Sequence, residues 1–172
     1  KTSIAVDYQL PVGFPLTVTG EFMYNKTINA VMLQDWNMAD PDGFSRLTGI
    51  DNRHIFPEVG SKLTGTNAYV LTNTNKGYGY TANLLINAQP IPELNITASY
   101  THTVQKEVSG MPGSNAESAF TYIPSIEGPN HVGLHNSQYV TPDRVIVNLT
   151  YNDKGNNHYS LFYEAWRGGG NN

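Results

Sequence analysis

"NTNKGYGYTANLLINAQPIPELNITASYTHT", residues 73–103, contains two alternating arms joined by a turn with two prolines. Apolar residues occupy every second position in each arm, which predicts two half-buried β-strands. The positions between them carry Asn, Thr and Ser, with almost no charge. The stretch therefore predicts a hairpin whose polar face lacks the Lys and Glu that a water-exposed face usually carries.

The same period of two occurs six times along the chain, and no segment of comparable length has a helical period. The pattern predicts an all-β fold, an antiparallel up-and-down meander of about six strands with hairpins at about 3–25, 77–104 and 143–166. Long loops rich in Gly, Pro, Asn and Asp are expected at about 30–70 and 105–141. Every tight turn then lies at one end of the sheet and both long loops lie at the other, as in outer-membrane barrels.

Composition excludes several classes of protein. Charged residues make up 14% of the chain, against roughly 25% in average proteins. The net charge of -4 includes no basic patch, so no nucleic-acid partner is expected. The absence of Cys excludes disulfides and thiolate metal sites. No apolar run approaches the roughly 18 residues of a membrane-spanning helix.

A soluble β-sandwich and a membrane barrel both alternate, so the period alone leaves both open. Tyrosines near the strand ends favour the barrel, because aromatic girdles bracket an apolar band of about 25 Å in that class. The tyrosines expected to face the membrane are Tyr8, Tyr78, Tyr80, Tyr100, Tyr151 and Tyr159. The alternative is a secreted sandwich that binds carbohydrate through Trp36 and Trp166.

The segment "DWNMADPDG", residues 35–43, offers Asp35, Asn37, Asp40 and Asp42 as oxygen ligands for a cation such as calcium. Asp-Pro and Asp-Gly are also plain turn formers, and the turn interpretation is favoured. Trp36 is suited either to stacking on a ligand or to anchoring its loop.

The loop residues predicted to contact a ligand are Trp36, Asp40, Asp42 and His54. His131 and His135 lack a third ligand for zinc, so no metal site is expected. No nucleophile motif is present, so no catalytic residue, enzyme activity or cofactor is predicted.

Four blocks resemble successive parts of one barrel family. They are "AYVLTNTNKGYGYTANLLINAQ" (68–89), "GIDNRHIFP" (49–57), "TPDRVIVNLTY" (141–151) and "HYSLFYEAWRGGG" (158–170). Their sequence and order are similar to those of TonB-dependent outer-membrane receptors, in the group with a carboxypeptidase-regulatory-like N-terminal domain. The resemblance implies a segment of the C-terminal half of a plugged barrel of about 22 strands.

The resemblance also implies a location in the outer membrane of a Gram-negative bacterium and energy-coupled import of a bulky nutrient. The implied partners are membrane lipid, an N-terminal plug and the energy-transducing TonB protein. The chain begins at Lys1 without Met and ends in "GGGNN", so we expect a processed chain or a fragment, a single barrel segment over 1–172. Alone in water, its apolar faces favour an open sheet, hairpins folded face to face, or self-association.

Overall fold

Nine strands account for most of the regular structure in the described chain. The structure is a computed structural model that describes residues 1–57, 60–123 and 125–169. The strands are β1 (Thr2–Gln9), β2 (Leu16–Lys26), β3 (Ala30–Asp35), β4 (Tyr69–Thr74), β5 (Tyr78–Ile91), β6 (Leu94–Glu107), β7 (His135–Asn136), β8 (Asp143–Asn152) and β9 (His158–Arg167). A 3₁₀ helix spans Pro41–Gly43, and a short α-helix of six residues, α1, spans Ala116–Thr121.

The main sheet has the order β1-β2-β5-β6-β8-β9, with the two-residue β7 paired to β6. Strands β3 and β4 form a separate two-stranded sheet. The pairs β1–β2, β2–β5, β3–β4, β6–β8 and β8–β9 are antiparallel, and the main sheet follows chain order. The prediction of an all-β, antiparallel, up-and-down fold is confirmed. The polar and apolar alternation of the long strands is its local cause.

The described chain divides into two compact units, where the sequence analysis treated it as one segment. Unit 1 comprises Lys1–Lys26, Tyr78–Gln105 and the chain from Asn136 onward. Unit 2 comprises Thr27–Gly77 and Lys106–His135. Unit 1 therefore contains the predicted hairpins, and unit 2 is built from the two segments that were predicted as long loops.

Unit 2 contains all the buried hydrophobic side chains among the described residues. Leu33, Ala119 and Phe120 form one cluster, and Val108, Ile123 and Val132 form a second. Met38 and Tyr69 pack on the first cluster, and Met32 packs on the second. Because Met32 and Leu33 are neighbours on β3, their side chains leave opposite faces of that strand and reach different clusters.

The β3–β4 hairpin lies within a segment that was predicted as an irregular loop. Its six paired positions run from Ala30 opposite Thr74 to Asp35 opposite Tyr69. The run "AVML" in β3 has no alternating polar residues, because both faces of the strand contact apolar clusters. A strand with apolar contacts on both faces does not show the period of two that identified the others.

No helix in the described ranges combines the length and hydropathy that a membrane-spanning helix requires. Parts of the earlier predictions fall outside the described residues, namely positions 58, 59 and 124 in the two loops and 170–172 at the end of the predicted segment.

Candidate functional site

The register of the main sheet collects the apolar residues of six strands on one face, called here the apolar face. Leu84 on β5 lies opposite Gly20 on β2, and Gly20 in turn lies opposite Val6 on β1. Tyr100 on β6 lies opposite Val145 on β8. The Thr101 hydroxyl donates to Asn83 Oδ1 at 3.0 Å across β5 and β6, which aligns these two strands. With β5 and β6 aligned by the Thr101–Asn83 and Thr97–Asn87 bonds, three adjacent rows across the face contain no charged or amide side chain: Leu16, Ala88, Ile96, Leu149 and Leu161; Tyr8, Val18, Ile86, Ala98, Val147 and Tyr163; Val6, Gly20, Leu84, Tyr100, Val145 and Ala165.

The apolar face is uncovered. Val6 and Leu161, on the two edge strands, are each 61% exposed, and Leu84 near the centre is 46% exposed. None of the buried hydrophobic residues of the described chain belongs to unit 1. Unit 1 therefore has no buried hydrophobic core among the described residues.

The opposite side of the sheet, called here the polar face, carries mostly uncharged hydrogen-bonding groups, together with exposed Phe162 and Trp166 on β9. Besides the Thr101–Asn83 pair, the Thr97 hydroxyl donates to Asn87 Oδ1 at 3.0 Å. The strong charges on this face are few, and Arg144 donates to the Glu164 carboxylate at 2.7 Å. Asp7 accepts a hydrogen bond from the Thr19 hydroxyl directly opposite it. These contacts pair several of the polar side chains with one another within the sheet.

All six tyrosines that were predicted to face a membrane lie on the apolar face. Tyr151 and Tyr159 are opposite one another, with ring centroids 6.4 Å apart, and Tyr80 stacks on Phe22 at 6.0 Å. Their even spacing along each strand places them there, since alternate residues share one face. The environment of this face stays a prediction.

Tyrosines bound the apolar face at both ends, and these boundaries run obliquely to the hydrogen-bonded rows. The row that begins at Tyr8 on β1 ends at Tyr163 on β9. Tyr159, which bounds the apolar face on β9 beside the β8–β9 turn, lies four residues before Tyr163. The tyrosine boundary therefore shifts by four residues, about 13 Å along the strands, over five strand spacings, about 24 Å across the sheet. The boundary is inclined to the rows by roughly 30°. Tilted strands crossing a level apolar band give an inclination of this kind, and barrel strands tilt by about 35–45°.

A polar cluster ends the apolar face on β6, β8 and β9. His102 Nδ1 lies 2.8 Å from Asp143 Oδ1, and Arg167 lies 2.7 Å from Asp143 Oδ2. The Tyr100 hydroxyl also donates to Asp143, at 2.7 Å. The cluster lies at the end of the sheet where the chain leaves β6, opposite to the tight turn between β8 and β9.

The four predicted ligand-contacting residues belong to unit 2, where they occupy different environments. The Trp36 side chain is 63% exposed. Asp40 caps the 3₁₀ helix by accepting from the Asp42 N–H at 3.0 Å, as its turn-forming sequence suggests. The His54 side chain is buried, with Nε2 at 3.9 Å from a Glu127 oxygen. Asp40 lines a small pocket of about 110 Å³, which Trp36, Asp42 and His54 do not line.

Asp35 and Asn37, the other two candidate cation ligands, are buried and hydrogen-bonded to the backbone. Asp35 Oδ1 accepts from the N–H groups of Asn37 and Ala68, at 3.0 and 2.8 Å. Asn37 bonds to two backbone carbonyls and to Thr64. Within the described ranges, no group of three or more His, Asp or Glu side chains converges as a metal site.

A larger pocket of about 450 Å³ lies in unit 2, and the sequence analysis did not find it. Asp35 and Tyr69 line it from the paired ends of β3 and β4, Lys62 and Asn67 from the connection between them, and Phe120 from α1. These residues are separated by up to 85 positions and lie in the two segments that the sequence predicts to be long loops. The sequence feature that could have pointed to this pocket is Asp35, a carboxylate at the end of an apolar run.

Comparison with known proteins identifies no relative of this chain. No family model, curated protein or solved structure matches this chain.

Proposed function

We propose that this chain is a wall segment and loop region of a TonB-dependent receptor in the outer membrane of a Gram-negative bacterium. In this proposal the apolar face of unit 1 contacts lipid and the polar face lines the barrel interior. The whole receptor, with its plug and the energy-transducing TonB protein, imports a bulky nutrient. The segment has a structural role and no catalytic one.

The observation that carries this proposal is the uncovered apolar face. Burying one Val, Leu, Ile or Phe side chain stabilises a protein by about 1.5–3 kcal/mol. Six adjacent strands that leave such side chains exposed forgo that stabilisation in water. Soluble monomers rarely expose an apolar patch larger than a few hundred Å². Lipid removes the penalty without a second protein layer.

Chain connectivity supports the same orientation. The β1–β2, β5–β6 and β8–β9 connections are short, and the two segments that build unit 2 leave and re-enter unit 1 at the other end of the strands. Outer-membrane barrels have short periplasmic turns and long outer loops. Unit 2 is therefore assigned to the outer side, where Trp36, Asp40, Asp42 and His54 are proposed to contact the nutrient.

The oblique tyrosine boundaries agree with strands that cross a membrane at an angle. Tyr151 and Tyr159 would lie at the periplasmic interface, and Tyr78, Tyr80 and Tyr100 near the outer one. On the edge strand β1, Tyr8 marks the end of the apolar face beside the β1–β2 turn. Amphipathic rings are enriched at both interfaces, because one part of the ring system is apolar and the hydroxyl reaches water.

A carbohydrate-binding β-sandwich is the second candidate, favoured by the exposure of both tryptophans, Trp36 at 63% and Trp166 at 64%. This function requires another layer over the apolar face. Its exposed tryptophans would stack on sugar rings in water, and Leu84 would be buried under the second protein layer.

Spin labels on two adjacent residues test the proposal. The chain has no Cys, so Leu84→Cys and Asn83→Cys introduce unique labelling sites in this region on opposite faces of β5. In the gene product that contains this chain, placed in outer-membrane vesicles, the label at 84 should collide with oxygen, which partitions into lipid. The label at 83 should collide with a water-soluble nickel chelate.

A label at 84 that is reached preferentially by the nickel chelate would overturn the membrane assignment. A label at 84 that neither reagent reaches would indicate protein burial and support the sandwich.

A further inference from the structure

The 450 Å³ pocket of unit 2 has two aromatic walls. The rings of Tyr69 and Phe120 have centroids 5.3 Å apart and are inclined by 49°. Asn67 donates to the Tyr69 hydroxyl at 2.6 Å, which orients the phenol and leaves the Asn67 carbonyl oxygen as an acceptor. The volume lies within the range of about 300–1,000 Å³ that is usual for small-molecule sites.

Asp35 supplies a carboxylate to this pocket that has no counter-ion. The residue is 1% exposed, and its Oδ1 accepts from two backbone N–H groups. No donor among the described residues reaches Oδ2, and none of their Lys, Arg or His side chains lies within 4.0 Å of the carboxylate. Only His54 Nδ1 and Glu107 Oε1 are sealed without a partner among the described side chains, so the unpartnered Oδ2 is accessible. Because Asp35 lines the pocket, Oδ2 is available there to a cationic group.

Asn130 keeps the Asp35 backbone in place, which makes the site preorganised. The Asp35 N–H donates to Asn130 Oδ1 at 2.8 Å, and Asn130 Nδ2 donates to the Asp35 carbonyl at 2.7 Å. Together with the two bonds to Oδ1, these contacts restrain both the main chain and the carboxylate. A ligand would then bind without first ordering this residue.

The electrostatic environment of the pocket is negative. Burial, the charge of Glu117 and the charge of Asp35 each raise the pKa of the Tyr69 phenol, and only the bond from Asn67 lowers it. Lys62 lines the pocket with an exposed side chain and forms no ion pair among the described residues. The carboxylates of Asp35 and Glu117 therefore favour a positively charged ligand beside the Tyr69 ring, and the exposed Lys62 ammonium opposes it.

We propose that this pocket binds the ammonium group of a small organic amine, with Asp35 Oδ2 as its counter-ion and the Tyr69 and Phe120 rings beside it. A cation near an aromatic face gains attraction from the ring quadrupole, and the gain is larger in a desolvated site. The apolar part of the amine would lie along Phe120. This inference depends only on contacts within unit 2 and not on the surroundings of the sheet.

Matched ligands test the charge requirement on the full folded chain by calorimetric titration. Phenethylamine is the probe, and 2-phenylethanol is its neutral counterpart with the same carbon skeleton. Phenethylamine should bind about tenfold to a hundredfold more tightly, the range expected for a charge-assisted hydrogen bond. Equal binding of the two compounds, or no binding of phenethylamine at millimolar concentration, would overturn the proposal.

Two variants assign the effect to its residues. Asp35→Asn retains an oxygen acceptor for the two N–H groups, and it should abolish the preference for the amine over the alcohol. Asp51→Asn, at an exposed position paired with Arg53, is the matched control and should leave that preference unchanged.

A further variant, Lys62→Gln, tests the charge requirement without changing the buried Asp35. The Lys62 side chain is exposed, so this substitution should not disturb folding. Removing this positive charge should tighten phenethylamine binding by about threefold. Weaker binding in Lys62→Gln, or calcium ions displacing the amine more effectively than sodium ions at equal ionic strength, would contradict an ammonium site.

Discussion

Asn37 and Thr64 join the two ends of the β3–β4 connection through their side chains and backbone. The Thr64 N–H and hydroxyl donate to Asn37 Oδ1 at 3.0 and 2.9 Å, and Asn37 Nδ2 donates to the Thr64 carbonyl at 2.7 Å. Asn37 Nδ2 also donates to the Thr66 carbonyl. Because Asn37 is 8% exposed, water cannot replace these bonds when the amide is removed.

Replacing Asn37 with Ala should lower the free energy of unfolding by about 1–3 kcal/mol, the cost of leaving buried polar partners unsatisfied. Trp36 is adjacent in sequence, so its fluorescence during urea titration of the full chain measures the change. Asn73→Ala is the control, because Asn73 is exposed and its side chain has no hydrogen bond within the described part of the chain. Equal losses in both variants would show that the Asn37 network contributes nothing specific.

Replacing Leu84 with Arg should destabilise the protein in lipid by about 2–4 kcal/mol, as expected for a charge on the lipid face near the bilayer midplane. Asn83→Arg places the same charge on the polar face and should have a much smaller effect. Urea titration in phospholipid vesicles measures the difference between the two variants. A larger loss for Asn83→Arg would assign the two faces the other way round.

Replacing Gly113 with Ala should disrupt the start of α1. A Cβ at this position would overlap the Ser118 hydroxyl and the Ala119 backbone nitrogen. Asn115 and Ser118 cap this helix reciprocally, so the backbone there has little room to shift. We expect a loss of about 1–3 kcal/mol, as for overpacked sites. Gly133→Ala is the control, because a Cβ there meets nothing within 4 Å, and its unfolding midpoint should be near that of the wild type.

Acidification should open the turn between β8 and β9 at a pH below the usual range of Asp titration. Hydrogen bonds from the Asn157 side chain and N–H, and from the Gly155 N–H, hold the pKa of Asp153 below the usual value of an aspartate. A depressed carboxyl pKa stabilises the fold at pH values above the unfolded pKa of about 3.9. That contribution is lost as the pH falls through the lower folded value.

NMR titration of the Asp153 carboxyl carbon and of the Gly155 and Asn157 amides measures this transition. In Asp153→Ala the two amides should lose this pH dependence. A carboxyl midpoint at or above the unfolded value would show that the turn does not stabilise the ionised form.

The long strands could be predicted because each has one apolar and one polar side. Residues 73–103 show this pattern directly, and the tight turns then determine which strands are adjacent. The β3–β4 hairpin could not be predicted in the same way. Its first strand contacts apolar residues on both sides, so a six-residue run such as "AVMLQD" does not alternate.

The pocket depended on contacts between residues far apart in the chain. Asp35 reads as a turn former in "DWNMADPDG", and only the pairing with Tyr69 and the bonds to Asn130 place its carboxylate beside Phe120. The burial of His54 beside Glu127 likewise depends on tertiary contacts, because no local sequence pattern predicts it.

The amino-acid sequence by itself determined the strand type, the up-and-down order and the unequal ends of the sheet, because local alternation and turn residues specify these features. The tertiary structure decided which residues share a row, and thereby revealed the oblique tyrosine boundaries and the continuous apolar face. It also decided the counter-ion-free environment of Asp35. Register and burial depend on partners tens of residues away, and no local period encodes them.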